Sequence, residues 1–192
     1  MQDRDRIYDT FPPVFINKFL RLTSIIDCFE VFVESPSSLL ARAKLYSQFK
    51  RHCLIKCMTF CTPCTGCKTF YCTILYRTIN FISKSYRGRA SDNRITHELK
   101  FASSKYHMPG DQFLADRSFT LHYDEAAGSC SLLINPAFLK GKAQFSASDV
   151  EESSKISLVR IYIKRVIRLL KGRYTILEGT LPLRTIKTIL TN

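Results

Sequence analysis

Leu22-Thr23-Ser24-Ile25-Ile26-Asp27-Cys28-Phe29-Glu30-Val31-Phe32-Val33-Glu34 reads as one β-strand. Apolar and β-branched residues dominate it, and no Gly or Pro interrupts it before Pro36. With a side-chain period of two, Asp27 shares a face with Phe29, Val31 and Val33, while Glu30 and Glu34 fall on the other. A carboxylate among apolar neighbours is costly unless something compensates its charge. Backbone N–H groups, an arginine or a metal ion would each serve.

Further along, Pro109-Gly110-Asp111-Gln112-Phe113-Leu114-Ala115-Asp116 reads as a turn, a short apolar strand and an Asp just past the strand end. Five segments then occur in order: Ile25-Ile26-Asp27-Cys28-Phe29-Glu30, Gly88-Arg89-Ala90-Ser91-Asp92, Leu114-Ala115-Asp116-Arg117, Phe138-Leu139-Lys140-Gly141-Lys142 and Gly179-Thr180-Leu181-Pro182. Together they resemble the DDE-superfamily endonuclease domain of Harbinger-like transposases, from roughly Ile7 to Ile189. The resemblance implies an α/β fold of RNase H-like type: a mixed sheet flanked by helices, with Asp27 on the first core strand and Asp116 at the end of the fourth. It also implies that both aspartates are catalytic and hold a divalent cation, Mg²⁺ or Mn²⁺.

A chain of 192 residues with 45% hydrophobic content suits a single domain with its own core. No apolar run reaches the length of a membrane span, and Met1-Gln2-Asp3-Arg4-Asp5-Arg6 lacks the layout of a signal peptide. An intracellular, nuclear location with no membrane partner is expected. The net charge of +13 is unevenly spread. Residues 35–110 carry 13 basic and 2 acidic groups, and residues 153–192 carry 9 and 1. Residues 1–34 carry 4 basic and 6 acidic groups, and residues 111–152 carry 3 and 7. The basic blocks point to a polyanion, with DNA the natural partner, and the acidic blocks hold Asp27 and Asp116. Solvated charges on a generic basic protein would give the same totals.

Residues 1–21 show nothing like the DNA-recognition domain that family members carry upstream, so the expectation is a catalytic domain relying on a separate recognition subunit. Ser35-Pro36-Ser37-Ser38 supplies a turn and N-cap ahead of a helix or tight loop over Leu39–Tyr46. His52 reads as a strand or surface residue. Cys53, Cys57, Cys61, Cys64, Cys67 and Cys72 crowd six of the eight cysteines into twenty residues. The C-x₂-C-x₂-C run at Cys61–Cys67 invites a zinc or iron–sulfur reading. The fourth ligand, however, comes at the wrong spacing, and no second C-x₂-C or paired histidines support it. By resemblance, a strand turns near Thr62–Gly66 and returns at Ile79–Lys84, so that residues 67–78 look like an insertion at the hairpin. Reduced thiols are the default in such a compartment.

After the returning strand, Arg87 and Arg89 are candidate DNA contacts, and Asp92 is either a supporting acid or the N-cap of the next helix. The family has Gly where Ser118 stands, and a turn demanding positive φ would be strained there. Ser148-Asp149-Val150-Glu151 fits a capping box for a helix running to about Lys171. Ile156, Val159, Ile163, Val166, Ile167 and Leu170 share its apolar arc; Arg160, Lys164, Arg168 and Lys171 form a basic stripe. Arg160, Arg165 and Arg168 join the candidate DNA contacts. A strand over 158–163 is the alternative, which the length of the pattern disfavours.

This helix bears on activity. DDE chemistry uses three carboxylates around two divalent ions, and the resemblance aligns the third, a Glu preceding Arg, with Lys164. A protonated lysine cannot ligate Mg²⁺ and repels it. The expectation is therefore a transposase-derived domain of impaired catalysis: a Mg²⁺-dependent DNA endonuclease and strand transferase if active, with weak metal binding and little cleavage as written. Two other readings stand beside it. One is a non-catalytic DNA- or partner-binding protein domesticated from a transposon; the other is a cysteine-rich metal module.

Overall fold

The computed structural model describes residues 19, 21–62, 79–100, 111–116, 118–119, 132–134, 144 and 146–190. Its centre is β1 (Leu22–Phe32), the strand expected from the sequence, which extends to Val33 through an isolated bridge to Leu181. A short helix α1 (Leu39–Leu45) and β2 (Tyr46–Ser47) lead into β3 (His52–Cys61). Then come β4 (Ile79–Ile82), β5 (Tyr86–Arg87), α2 (Asp92–Glu98), β6 (Gln112–Leu114) and β7 (Leu132–Ile134). The long helix α3 (Ala147–Arg173), a 3₁₀ turn (Thr175–Leu177) and α4 (Leu183–Leu190) follow.

The strands form one mixed sheet in the order β2-β3-β1-β6-β7, with β4 and β5 also paired along the outer edge of β3. β3 runs antiparallel to β1 from Ile25↔Cys61 to Phe32↔Leu54. β6 runs parallel to β1, and β7 parallel to β6. The antiparallel return of β4 along β3 pairs Thr59 with Ile82 and Phe60 with Phe81, and the two phenyl rings stack with centroids 4.8 Å apart. It matches the returning strand expected at 79–84. The segment between them, with Cys64, Cys67, Cys72 and the insertion expected at 67–78, lies outside the described residues.

Both faces of the sheet are covered, which is why β1 and β3 read as nearly continuous apolar runs. On one face, Ile26, Met58, Phe60 and Phe113 pack with Ile95 of α2. On the other, Ile156 and Ile163 of α3 pack on Leu22, Ile25, Cys61 and Leu114, while Val166 and Leu170 pack on Phe29, Val31 and Val33. The helix α3 therefore runs along β1 in the same direction, its apolar arc facing the sheet as the periodicity predicts. Residues 158–163 are helical, not a strand; the side chain of Val159 lies outside the described residues.

Three local expectations change. The capping box of α3 is formed by Ser146 and Asp149, two residues before the predicted Ser148 start. Asp149 N donates to Ser146 Oγ at 3.2 Å, and Ser146 N donates to Asp149 Oδ2 at 3.2 Å. Both serines carry an acid three residues on, and only the tertiary position of the incoming chain selects between them. Ser38 occupies the N-cap position of α1 without a side-chain cap bond. Asp92 is not the N-cap of α2: Ser91 Oγ accepts from Arg94 N at 3.2 Å, and the Asp92 carboxylate instead meets Lys56 Nζ at 3.2 Å.

Cys53, Cys57 and Cys61 are buried along one face of β3, part of the same apolar layer as Phe29, Val31 and Ile25. Their spacing of four is a strand period, so half of the cysteine cluster belongs to the core. His52 is exposed at the start of β3, its ring edge-on to Phe32. Among the described residues, no helix is long and apolar enough to cross a membrane.

Candidate active site

The sheet register builds the site. Parallel pairing sets Ile25 beside Leu114, so Asp27 and Asp116, each two residues further on, emerge next to one another. Asp27 stands opposite Thr59 of β3, on the face covered by α3. Its Oδ1 accepts a hydrogen bond from its neighbour's backbone, Cys28 N, at 2.9 Å. Asp116 closes a turn in which Phe119 N donates to Asp116 O at 3.0 Å. Arg51 and Lys100 are the non-glycine residues with positive φ among those described, so Ser118 sits in this turn without left-handed strain.

Two cations come down from α3. Arg160 forms an ion pair with Asp116, Nη2 on Oδ2. Lys164, one turn later, is exposed and close enough to act on the charge of Asp27. Burial pushes the Asp27 carboxyl up to about 6, the largest effect on it. The Cys28 N–H bond opposes that shift, as do Arg160 and Lys164, while the neighbouring Asp116 carboxylate adds to it. A carboxyl raised by burial among specific charge partners marks a candidate functional position. Further along α3, Lys171 Nζ donates to the Glu30 carbonyl oxygen at 2.6 Å. The basic stripe on α3 is thus partly turned onto the sheet.

The other candidates lie elsewhere. Arg165 and Arg168 are exposed on α3, and Arg87 and Arg89 are exposed at the outer edge of β3. Arg87 pairs with Ile55, four β3 residues from the partner of Asp27, a separation of about 13 Å along the strand. Asp92 and Glu30 lie on the opposite face, tied to Lys56 at 3.2 and 3.9 Å. Asp124, Glu125 and the Phe138–Lys142 loop fall outside the described residues. The role of Arg160 as counter-ion to Asp116 was the feature missed in the sequence. The signal was present, since any helix that points Lys164 at the aspartates also points the residue four before it.

A mixed sheet that sets two aspartates side by side on parallel neighbours, under a long helix, defines a class: α/β domains organised around a carboxylate pair. Residues 26–191 match the family described as DDE superfamily endonuclease, and the chain belongs to that family. No curated protein and no solved structure matches it. Membership makes this a nuclease-family domain of transposase descent, from a group whose substrate is DNA and whose enzymes use divalent metal.

Among the described residues, the donor set does not fit a two-metal centre: it offers the carboxylates of Asp27 and Asp116, faced by the cations Arg160 and Lys164. Among the described residues, no group of three or more His, Cys, Asp or Glu could hold a metal ion. A hard dication prefers oxygen ligands and net negative charge, whereas Arg160 already occupies an oxygen of Asp116.

Proposed function

We propose that this chain is a Harbinger-like, transposase-derived DDE nuclease domain that binds DNA and whose catalysis is impaired by its own cations. The observation that carries the reading is the Arg160–Asp116 ion pair with Lys164 beside Asp27. Lys164 stands where the resemblance places the third acid. A unit cation about 4 Å from another costs on the order of 4 kcal/mol at an effective dielectric of 20, so the replacement both removes a ligand and repels an incoming Mg²⁺ or Mn²⁺. Metal held by Asp27 and Asp116 alone is expected to be weak. The strand order β4-β3-β1-β6-β7, with β3 antiparallel to β1 and β6 and β7 parallel to it, supports an RNase H-like fold.

The test is Mg²⁺- and Mn²⁺-dependent nicking of supercoiled plasmid by the natural chain beside Lys164→Glu and Lys164→Glu/Arg160→Gln, after circular dichroism shows all three folded. Cleavage by a variant and not by the natural chain is the expected result. Cleavage by the natural chain that Asp27→Asn or Asp116→Asn abolishes would sink the proposal.

The net charge of +13 favours a second reading, a non-catalytic DNA- or partner-binding protein domesticated from a transposon. Its action would be in the nucleus, with sequence selectivity supplied by a separate recognition subunit. Steeply salt-dependent DNA binding without cleavage by any variant would favour it.

A further inference from the structure

On the other side of the sheet's outer edge, the Arg87-Gly88-Arg89 turn is pressed against the end of α1. A Cβ on Gly88 would lie 2.2 Å from the Leu45 carbonyl oxygen and 2.6 Å from that of Leu54, so only glycine allows the approach. The backbone N–H of Arg89 donates to the Lys44 carbonyl oxygen at 3.3 Å. This contact makes one wall of a groove of about 690 Å³. Arg42, Tyr46 and Phe49 line the facing wall, and Arg89, Ala90 and Lys56 the near side.

The groove is strongly basic. Residues 35–56 hold five Lys or Arg (42, 44, 50, 51 and 56) and no Asp or Glu. Two acids reach this region. Glu30 lies 3.7 Å from Lys50 and 3.9 Å from Lys56, and Asp92 lies 3.2 Å from Lys56. Among the described residues, no carboxylate lies within 4.0 Å of Arg42, Lys44, Arg51, Arg87 or Arg89. At the rim, the Phe49 ring is 87% exposed, with Lys50 Nζ 5.3 Å from its centroid, and Tyr46 is 40% exposed. An aromatic ring held out in water at the rim of a groove that Arg42 and Arg89 line without a carboxylate beside them is the combination that binds unpaired nucleotides: cations track phosphates and the ring stacks on a base. A duplex satisfies the cations alone, because its bases already stack on one another. An acidic peptide would leave the ring unused.

We propose that this groove is a binding site for single-stranded nucleic acid, with phosphates held by Arg42 and Arg89 and a base stacked on Phe49. It is distinct from the Asp27–Asp116 pair. Lys56, on its floor, lies three β3 residues from Thr59, the partner of Asp27, and on the opposite face. The proposal does not rest on metal binding or cleavage, so its test is made without metal.

The full chain is titrated in EDTA into a dye-labelled oligothymidylate of about 12 nucleotides, within the range of site sizes of OB-fold single-strand binders, and into a duplex of equal length, by fluorescence anisotropy. Phe49→Ala removes an exposed ring and leaves the core untouched. It is expected to weaken single-strand binding about ten-fold, the loss of one stacked base, and duplex binding less than two-fold. Arg42→Gln and Arg89→Gln should each lower the log–log salt slope for the single strand by about 0.7, while Arg184→Gln, an exposed charge on α4, should not. Unchanged single-strand affinity in Phe49→Ala would overturn the site. So would equal losses for single strand and duplex, or displacement by polyglutamate as readily as by oligothymidylate.

Discussion

Arg160 of α3 and Asp116, two residues beyond β6, form an ion pair across 44 residues of sequence, and it sits beside the partly buried carboxyl of Asp27. One guanidinium thus neutralises one aspartate and tempers the other. In a nuclease family that relies on carboxylates to gather metal, this chain supplies the compensating charge itself.

Removing that charge should expose the logic of the site. Arg160→Gln removes the ion pair with Asp116, and Asp27 loses a cation that lowers its pKa. The Asp27 carboxyl should then titrate above 6, read by carbon-detected NMR of the side chain. Both side chains of the pair are partly exposed (18% and 36%), so the stability loss in urea should be modest, about 1–2 kcal/mol. Mn²⁺ affinity should rise, because one positive charge at the aspartate pair is gone. A fall in Mn²⁺ affinity would contradict the counter-ion role.

Stability should depend on pH through Asp27. Its folded value is raised from 3.8 to about 6, so between those limits the unfolded chain has lost its proton while the folded chain still holds one. The folded state is therefore favoured below about 4 and loses that advantage as pH rises to 6, a change of roughly 3 kcal/mol. Asp27→Asn lacks this titration. Relative to the natural chain, it should be near neutral in urea unfolding at pH 4 and more stable by up to about 3 kcal/mol at pH 7.5. An equal difference at both values would show that Asp27 is not held protonated.

Gly88→Ala should be among the most damaging single substitutions outside the core. Its methyl would meet two backbone carbonyl oxygens, at 2.2 and 2.6 Å, neither of which is a flexible side-chain end. Relieving that clash requires α1 and β3 to move apart, at a cost of about 2 kcal/mol or more. The readout is the urea midpoint. A midpoint unchanged from the natural chain would mean that the Arg87–Arg89 turn is not packed as described.

The cysteines of β1 and β3 should be inert in the folded protein. Cys53, Cys57 and Cys61 are buried, and burial raises the thiols of Cys28 and Cys57. A thiol that stays protonated is a poor nucleophile. Labelling with a disulfide reagent at pH 8 should modify these four only on unfolding, resolved by peptide mass spectrometry. Zinc loading should not protect them in denaturant-free buffer beyond what folding already does.

Much of this protein was determined by local pattern. The period of two put Asp27 on the face of Phe29, Val31 and Val33, and the period of 3.6 put Ile156, Ile163, Val166 and Leu170 on the buried side of one helix. Those assignments need only the chain's own geometry, since each residue's face follows from its neighbours in sequence. Spacing also carried the cysteines of β3, although a metal motif and a strand period look alike until a sheet is there to bury one of them. What the tertiary structure alone decided is which faces meet. Parallel register between β1 and β6 brought Asp116 beside Asp27, and the lie of α3 along β1 made Arg160 the counter-ion of Asp116. Lys56 drew Asp92 to the opposite face, and Ser146 displaced Ser148 as the cap. Periodicity specifies the side on which a group emerges; its partner is chosen by long-range packing, where burial makes each unpaired charge too costly to leave alone.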